Sequence, residues 1–449
     1  MWTLQEFLYA KDFGFYYDGY QIPTSYLESA VSWLQLLHPE ALMSPLIGNS
    51  VWCRKTYPIF ELREQIQGGS LLDLSESVLV SARRSSTKPQ DHIFGILALT
   101  ERPSLEIEGI PGDILEPDYG QPFDEVFIDL ARRLLYGKIG LSVLSLVSNA
   151  NEALPKWNVE IGYDYSRHIS NLANPDESLN EDNKKWHAEM WPDLDGLQVD
   201  AFPSWVPKLL PVLGTQPYYL RGNNVFSAAT SMESFFSISE SGRTLTVSAA
   251  EFDTVKFQVE VANVNDVIEI RPKLVSTFWS KVKPFFSAKL EPKSIYKPTG
   301  ERILSALWRT LLSDLWYGTH PAPGNLENDF IRWLARQDSP SEVRGYVGLD
   351  YTPDPEPEKF ASFFGCALTA AARTRAFFVT EKGHYGLGPS TVRRGDSVMI
   401  LPGTQVPYLF RPHMVLENSW VLIGETYVHG IMHGEALQHG LDFHMVDIV

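Results

Sequence analysis

The chain holds only two cysteines in 449 residues, Cys53 and Cys366, far apart in sequence. No CxxC pair or Cys/His cluster accompanies them, so neither a disulfide framework nor a structural zinc site is supported. Long apolar runs are also lacking. The stretch Phe94 to Leu99 is too short to cross a bilayer, and no membrane span is expected. The N-terminus shows no basic region followed by an apolar one, which argues against a signal peptide and points to a cytoplasmic location. Basic charge is scarce as well: Lys and Arg number 38 against 55 Asp and Glu, a formal net charge of −17. That balance repels phosphate backbones, and no basic stripe offsets it, so nucleic acid is not an expected partner. Gly-x-Ser-x-Gly, His-Glu-x-x-His and Walker-loop motifs are absent, which leaves generic hydrolase, zinc-protease and P-loop readings without support.

What is present is an ordinary folded composition, 44% hydrophobic and 12% aromatic, in a chain long enough for two or three domains. Residues 1–150 read as mainly helical, with apolar positions at helical spacing over Ser25–Leu37 and Leu71–Val80. The second of these carries Asp73 and Glu76 on its wet face. Phe123, Val126, Phe127, Leu130 and Leu134 follow the same spacing, with Pro122 as the expected first helical residue. Residues 151–200 turn polar and acidic and read as a linker or loop. In residues 201–449, Arg243–Ala249 and Val255–Val261 alternate as strands, joined by an expected turn near Glu251 to Asp253. Helical spacing returns over Gly300–Asp314, Asn325–Arg336 and Lys359–Arg373. Strand-like runs follow at Ser397–Leu401, Val406–Phe410 and Trp420–Ile423, separated by turns at Arg394-Gly395-Asp396 and Pro402-Gly403.

Several segments in order resemble the fungal heterokaryon incompatibility (HET) domain proteins. They are Trp2-Thr3-Leu4-Gln5-Glu6, Arg83–Leu99, Pro117-Asp118-Tyr119 with the helix after it, Pro203-Ser204-Trp205-Val206-Pro207, Thr299-Gly300-Glu301 with Trp308–Leu311, and Phe377–Leu437 ending in Gly424–Ala436. Relative to the family, the opening strands that normally precede W-T-L-Q-E are missing, so the resemblance implies an N-terminally truncated copy. Gln90, Lys208-Leu209 and His433 stand where the family usually shows Arg, Asp-Trp and Asp. The resemblance implies an α+β chain: a partial TIR-like α/β domain, rich in helices, then a mixed α+β region ending in a small antiparallel sheet or barrel. It also implies an interaction or signalling protein of fungal non-self recognition and programmed cell death, with protein partners that include full-length HET proteins. Two alternatives accompany that expectation, a TIR-like NAD glycohydrolase and an accessory protein of fungal secondary metabolism.

Candidate chemistry is sparse. Trp2 and Glu6 have the W-x-x-x-E spacing that some TIR domains use to hydrolyse NAD, and i,i+4 positions on a helix share a face. A carboxylate there would stabilise the oxocarbenium-like charge of glycosidic cleavage; helix-surface Glu6 and core-anchor Trp2 is the plainer reading. NAD enters only as that substrate, and no cofactor is expected. Asp118 reads as a turn or cap residue, and Asp91 as an N-cap or a partner of Arg83 or Arg84. Gly383 to Pro389 has the glycines of a phosphate loop without the following helix, so a β-hairpin connection is expected. His429 and His433, with Glu425 and Glu435, concentrate metal-ligating side chains. Gly430 and Gly434 favour a glycine-rich turn with partly buried histidines, and no metal site is assigned.

Overall fold

A computed structural model describes residues 2–11, 13–27, 29, 51–82, 90–105, 114–147, 202–207, 225–260, 273–286, 291–316, 319–348, 352, 364–365, 367–368, 371–372 and 375–449. Most of the expected helix over Ser25–Leu37, most of that over Lys359–Arg373, and the linker 151–200 lie outside these residues; Ser25, Tyr26, Leu27 and Ser29 are helical, as expected. So do Arg83, Arg84 and Lys208-Leu209. The chain is α+β, with helices leading and a multi-stranded sheet closing into a barrel towards the C-terminus.

Among the described residues, four longer helices mark the N-terminal part: α1 (Trp2–Tyr9), α2 (Val51–Gln67), α3 (Leu74–Ala82) and, after a one-turn helix α4 (Asp91–Phe94), α5 (Phe123–Tyr136). A short hairpin, β1 (Phe15–Tyr17) with β2 (Tyr20–Ile22), follows α1. Helix α1 seats Leu4 and Leu8 against Leu62, Ile66, Leu72 and Leu99. Its last carbonyls, unsatisfied within the helix, accept from Arg63, which binds the oxygens of Phe7, Leu8 and Ala10. Asp73 does more than face water. Its carboxylate accepts from the Ser75 N–H at 2.9 Å while its own N–H donates to Glu76 at 3.2 Å, so the two acids box the start of α3. Pro122 is the N-cap of α5, with ψ 138°, one position earlier than expected. Proline's fixed φ suits both positions, and its extended ψ decides for the cap.

The sheet corrects a second expectation. Residues 245–260 are one strand, β4 (Leu245–Glu260), and no turn interrupts it at Glu251 to Asp253. The interruption is a bulge: the pairing register shifts between Glu251 and Asp253. Asp253 supplies what the bulged backbone needs, accepting from the N–H of Thr254 at 2.9 Å and of Lys382 at 3.1 Å. A bulge bends a strand without ending it, and here the bend hands β4 from one set of neighbours to the next. Its first third pairs with β11 (His444–Ile448) and β3 (Phe236–Ile238), its middle with β7 (Ser397–Ile400), and its last third with β5 (Arg375–Thr380). From β11 the path runs through β9 (Ser419–Glu425) and β8 (Tyr408–Pro412) to β7 and back to β4, closing a five-stranded ring. β6 (Tyr385–Pro389) and β10 (Tyr427–Val428) extend the sheet beyond β5.

Both faces of these strands are buried. Ala376 and Phe378 of β5, Val398 and Ile400 of β7, and Leu409 of β8 join one apolar cluster. Their alternates Phe377, Val379, Met399, Tyr408 and Phe410 join a larger one shared with the helices. Strands buried on both faces read as continuous apolar runs, which is why F-F-V and V-M-I-L show no alternation. The covering helices are α6 (Lys273–Phe286), α7 (Ile303–Leu311), α8 (Leu326–Leu334) and α9 (Pro340–Val347). The larger cluster also takes in Val126, Phe127, Leu130 and Leu134 of α5, and Ser145 meets the Tyr408 hydroxyl at 2.9 Å. Packing therefore crosses the expected boundary near residue 150.

Candidate functional site: the seam between barrel and helices

The segments that carry the family resemblance meet in space at three places. At the N-terminal end, the Asp91 carboxylate accepts from the Tyr119 hydroxyl at 2.6 Å, and the Phe94 and Tyr119 rings meet edge to face at 5.0 Å. Burial and the Asp91 charge push the Tyr119 phenol up to about 12. Gln90, not Asp91, is the N-cap residue of α4, and it makes no side-chain cap. Asp91 sits inside the helix with its carboxylate turned to the tyrosine, a separation of 28 residues that local reading does not reach. Asp118 does shape the turn, accepting from the Gly120 N–H at 2.8 Å. Beside them the His92 ring is buried against Ser81, and burial holds it down at about 4.

The second meeting is at the open end of β9 and β11. Ser204 accepts from the Leu422 N–H at 2.9 Å, and its own N–H donates to the Val449 carbonyl at 2.9 Å. Trp205 is fully buried, and its indole N–H donates to Arg243 O at 3.3 Å. The Pro203–Pro207 segment thereby ties off the barrel.

The third meeting is the densest. Just before α7, Glu301 reaches His429 in the turn after β10, with Oε1 2.6 Å from Nε2. A carboxylate only accepts, so the ring proton is assigned to Nε2. Nδ1 of a neutral ring is then free to accept from the Tyr427 hydroxyl, 2.7 Å away. The Tyr296 hydroxyl donates to His429 O at 3.1 Å and accepts from the Tyr385 N–H at 2.9 Å. Thr299 adds a 2.7 Å hydrogen bond to Glu301, and Arg309 stands 3.8 Å from its other oxygen. Burial opposes the charge of Glu301. The hydrogen bonds from His429 and Thr299, with the nearby Arg309 charge, outweigh it and hold the carboxyl below the usual carboxylate range. Gly430, at φ +94°, lets the turn pass Thr299, whose methyl would lie 2.8 Å from any added Cβ. The order Tyr–His–Glu resembles a proton relay, but Tyr427 is 2% exposed and His429 6%. It works as a lock between helical layer and barrel.

His433 lies apart from His429. Its Nε2 is 2.8 Å from Nε2 of His320, and its backbone N–H donates to Glu435 at 2.7 Å. The two histidines of the H-x-x-x-H spacing thus serve different partners across a glycine-rich turn, as their neighbours Gly430 and Gly434 led one to expect. Glu425 forms a buried ion pair with Arg375 at 2.8 Å. Among the described residues no three or more His, Cys, Asp or Glu side chains converge as metal ligands. Gly383–Pro389 is the turn and strand of the β5–β6 hairpin, as expected. Gly386 and Gly388 are there for space, since a Cβ on Gly386 would enter the Phe378 ring. Trp2 and Glu6 both lie on α1, four residues apart on one helix. Glu6 is exposed and stands on the side of α1 away from Leu4 and Leu8.

Sequence reading did not assign roles to Glu301, Tyr296, Tyr427, Arg309 or His320. The Thr299–Glu301, Trp308–Leu311 and Gly424–Ala436 islands contain the first, the fourth and the third. His320 carries no local signal at all, because its partner is 113 residues away.

The family model for the Het-6 beta-barrel domain matches residues 356–446. Heterokaryon incompatibility protein 6, OR allele, of Neurospora crassa is 41% identical over 59 residues, which is 13% of this chain and 9% of that protein. The chain therefore matches about a tenth of that relative's length. No solved structure matches. No described helix is long and apolar enough to cross a membrane. In its C-terminal part the chain is thus similar to the Het-6 beta-barrel domain of heterokaryon incompatibility proteins.

Proposed function

We propose that this chain is a cytoplasmic protein of fungal non-self recognition, working through protein partners to trigger or restrain incompatibility and cell death. The observation that carries the reading is the Het-6-type barrel. Several of the segments resembling the HET family, among them Ile93-Phe94, Trp205-Val206 and Trp308–Leu311, also share one apolar cluster with barrel residues, which supports reading them together. A role through partners draws further support from the turn between β8 and β9, where Met414, Val415 and Leu416 are 97%, 83% and 49% exposed. The His413 ring holds that turn, accepting from the N–H groups of Val415 and Leu416 at 3.2 and 2.9 Å. An ordered, exposed apolar triplet suits contact with another protein.

The test is induced expression in a fungal host, reading viability and NAD content beside Glu6→Ala and Val415→Asp versions. Loss of viability without loss of NAD, weakened by Val415→Asp and unchanged by Glu6→Ala, supports the proposal. A fall in NAD that Glu6→Ala abolishes replaces it with the glycohydrolase reading. Unchanged viability and NAD, with no family protein captured, removes the triggering role and the partner together.

A further inference from the structure

Beside the seam, two imidazoles from opposite lobes point at each other. His320 comes from the loop between α7 and α8 and His433 from the glycine-rich turn after β10. Their Nε2 atoms are 2.8 Å apart, with ring centroids at 4.7 Å and planes 35° from parallel. The far side of His320 is fixed: its Nδ1 lies 3.1 Å from Asp314 O and 3.7 Å from Asp314 Oδ2. Both are acceptors, so the His320 proton belongs on Nδ1, and its Nε2 presents a lone pair towards His433.

We propose that His320 and His433 form a two-histidine site for a divalent transition metal of the zinc class, joining the barrel turn to the helical layer. Imidazole is the commonest side-chain ligand for such ions, and its unprotonated nitrogen is the donor. A ligating histidine characteristically donates its other N–H to a carbonyl or carboxylate, which fixes the ring and raises its basicity. His320 already has that arrangement through Asp314. A tetrahedral zinc ion at about 2.0–2.1 Å from each nitrogen needs them roughly 3.3 Å apart. The gap must open by about half an ångström, and the opening falls to exposed His433 on the turn between Gly430 and Gly434, at φ +94° and +91°.

Burial and the facing His320 hold the His433 ring below its ordinary pKa, against the smaller opposing pull of Glu435 and Asp314. Arg309 is the facing cation, and it is engaged with Asp314 at 2.5 Å. Phe226 packs beside both rings, at 5.5 and 5.9 Å between centroids. Two protein ligands would leave the other tetrahedral positions to water, which makes the site exchangeable rather than a closed structural one. Metal and proton compete for the same lone pairs, and affinity falls as pH drops.

The test is calorimetric titration of the full chain with zinc chloride alone, with magnesium chloride as control, at pH 7.5 and pH 5.5. Three chains are compared: unmutated, His433→Gln and His320→Gln. His433 is exposed, so its variant keeps the fold, which far-ultraviolet circular dichroism checks. The proposal predicts saturable zinc binding near one equivalent at pH 7.5. It also predicts at least a tenfold loss of affinity in either variant, a similar loss at pH 5.5, and no heat with magnesium. The absence of saturable zinc binding by the unmutated chain, leaving a proton-bridged pair only, would overturn it. So would zinc binding that both variants retain.

Discussion

In the barrel, β5 and β7 are buried along their whole length, and each strand serves two apolar clusters at once. In the N-terminal part, α1 is held chiefly by Leu4, Leu8 and the Arg63 clasp, and the β1–β2 hairpin leaves Tyr16, Tyr17 and Tyr20 71%, 75% and 76% exposed. The first region is fixed by pairings between residues far apart in sequence, such as Thr246 with Asp447. The second is fixed by local helix formation plus a few anchors. The contrast teaches where constraint resides: the region that matches the family is the one with no spare space, whereas the exposed Glu6 lies where substitution disturbs little.

The comparison can be broken hardest at Gly386. A valine there drives its side chain into Phe378, and overpacking in a closed barrel should cost about 3 kcal/mol or more. Urea unfolding measures it; a loss below about 1 kcal/mol would mean that the strands yield more readily than their burial implies.

The second test lies in the N-terminal part and uses pH. Burial lowers His92 from 6.5 to about 4. The unfolded chain therefore takes the proton first, so the stability contribution is complete above pH 6.5 and is lost as pH falls towards 4. The loss reaches about 3 kcal/mol, from the size of the shift. In His92→Gln, the stability curve between pH 6.5 and 4 should be flatter than in the unmutated chain, and an unchanged slope would place the pH dependence elsewhere.

Tyr119→Phe removes one hydrogen bond from a half-exposed side chain, and about 1 kcal/mol is expected. Smallest of all, Tyr17→Ala and Glu6→Ala should each shift stability by less than about 0.5 kcal/mol. Thermal melts of the pair would sharpen the comparison, and a loss above about 1 kcal/mol in either would mean that its side chain is packed more tightly than its exposure implies.

Much of the chain was legible in its residues. The α+β class, the terminal barrel, α5 and the β5–β6 hairpin follow from periodicity, turn residues and family resemblance. The Ser339-Pro340-Ser341-Glu342 capping box also announces α9 to a reader who looks for it, with Ser339 and Glu342 satisfying each other's backbone N–H. The bulge in β4 was misread because Glu251-Phe252-Asp253 has turn composition. Whether such residues turn the chain or kink it is decided by Lys382, 129 residues on. The seam was illegible for the same reason: Glu301 and His429 are 128 residues apart, and no local pattern records that they meet.

The central claim, that the helical layer and the barrel are locked into one unit through Glu301 and His429, is tested most directly by a double-mutant cycle. Glu301→Gln and His429→Gln are made singly and together, and unfolding is followed at pH 7 and at pH 4. The folded carboxyl lies below its ordinary 4.5; its contribution is full above that value and declines as pH falls through the lower folded value. A coupling of about 1.5 kcal/mol or more is expected at pH 7, shrinking towards pH 4. Single losses that simply add, within about 0.3 kcal/mol at pH 7, would contradict it.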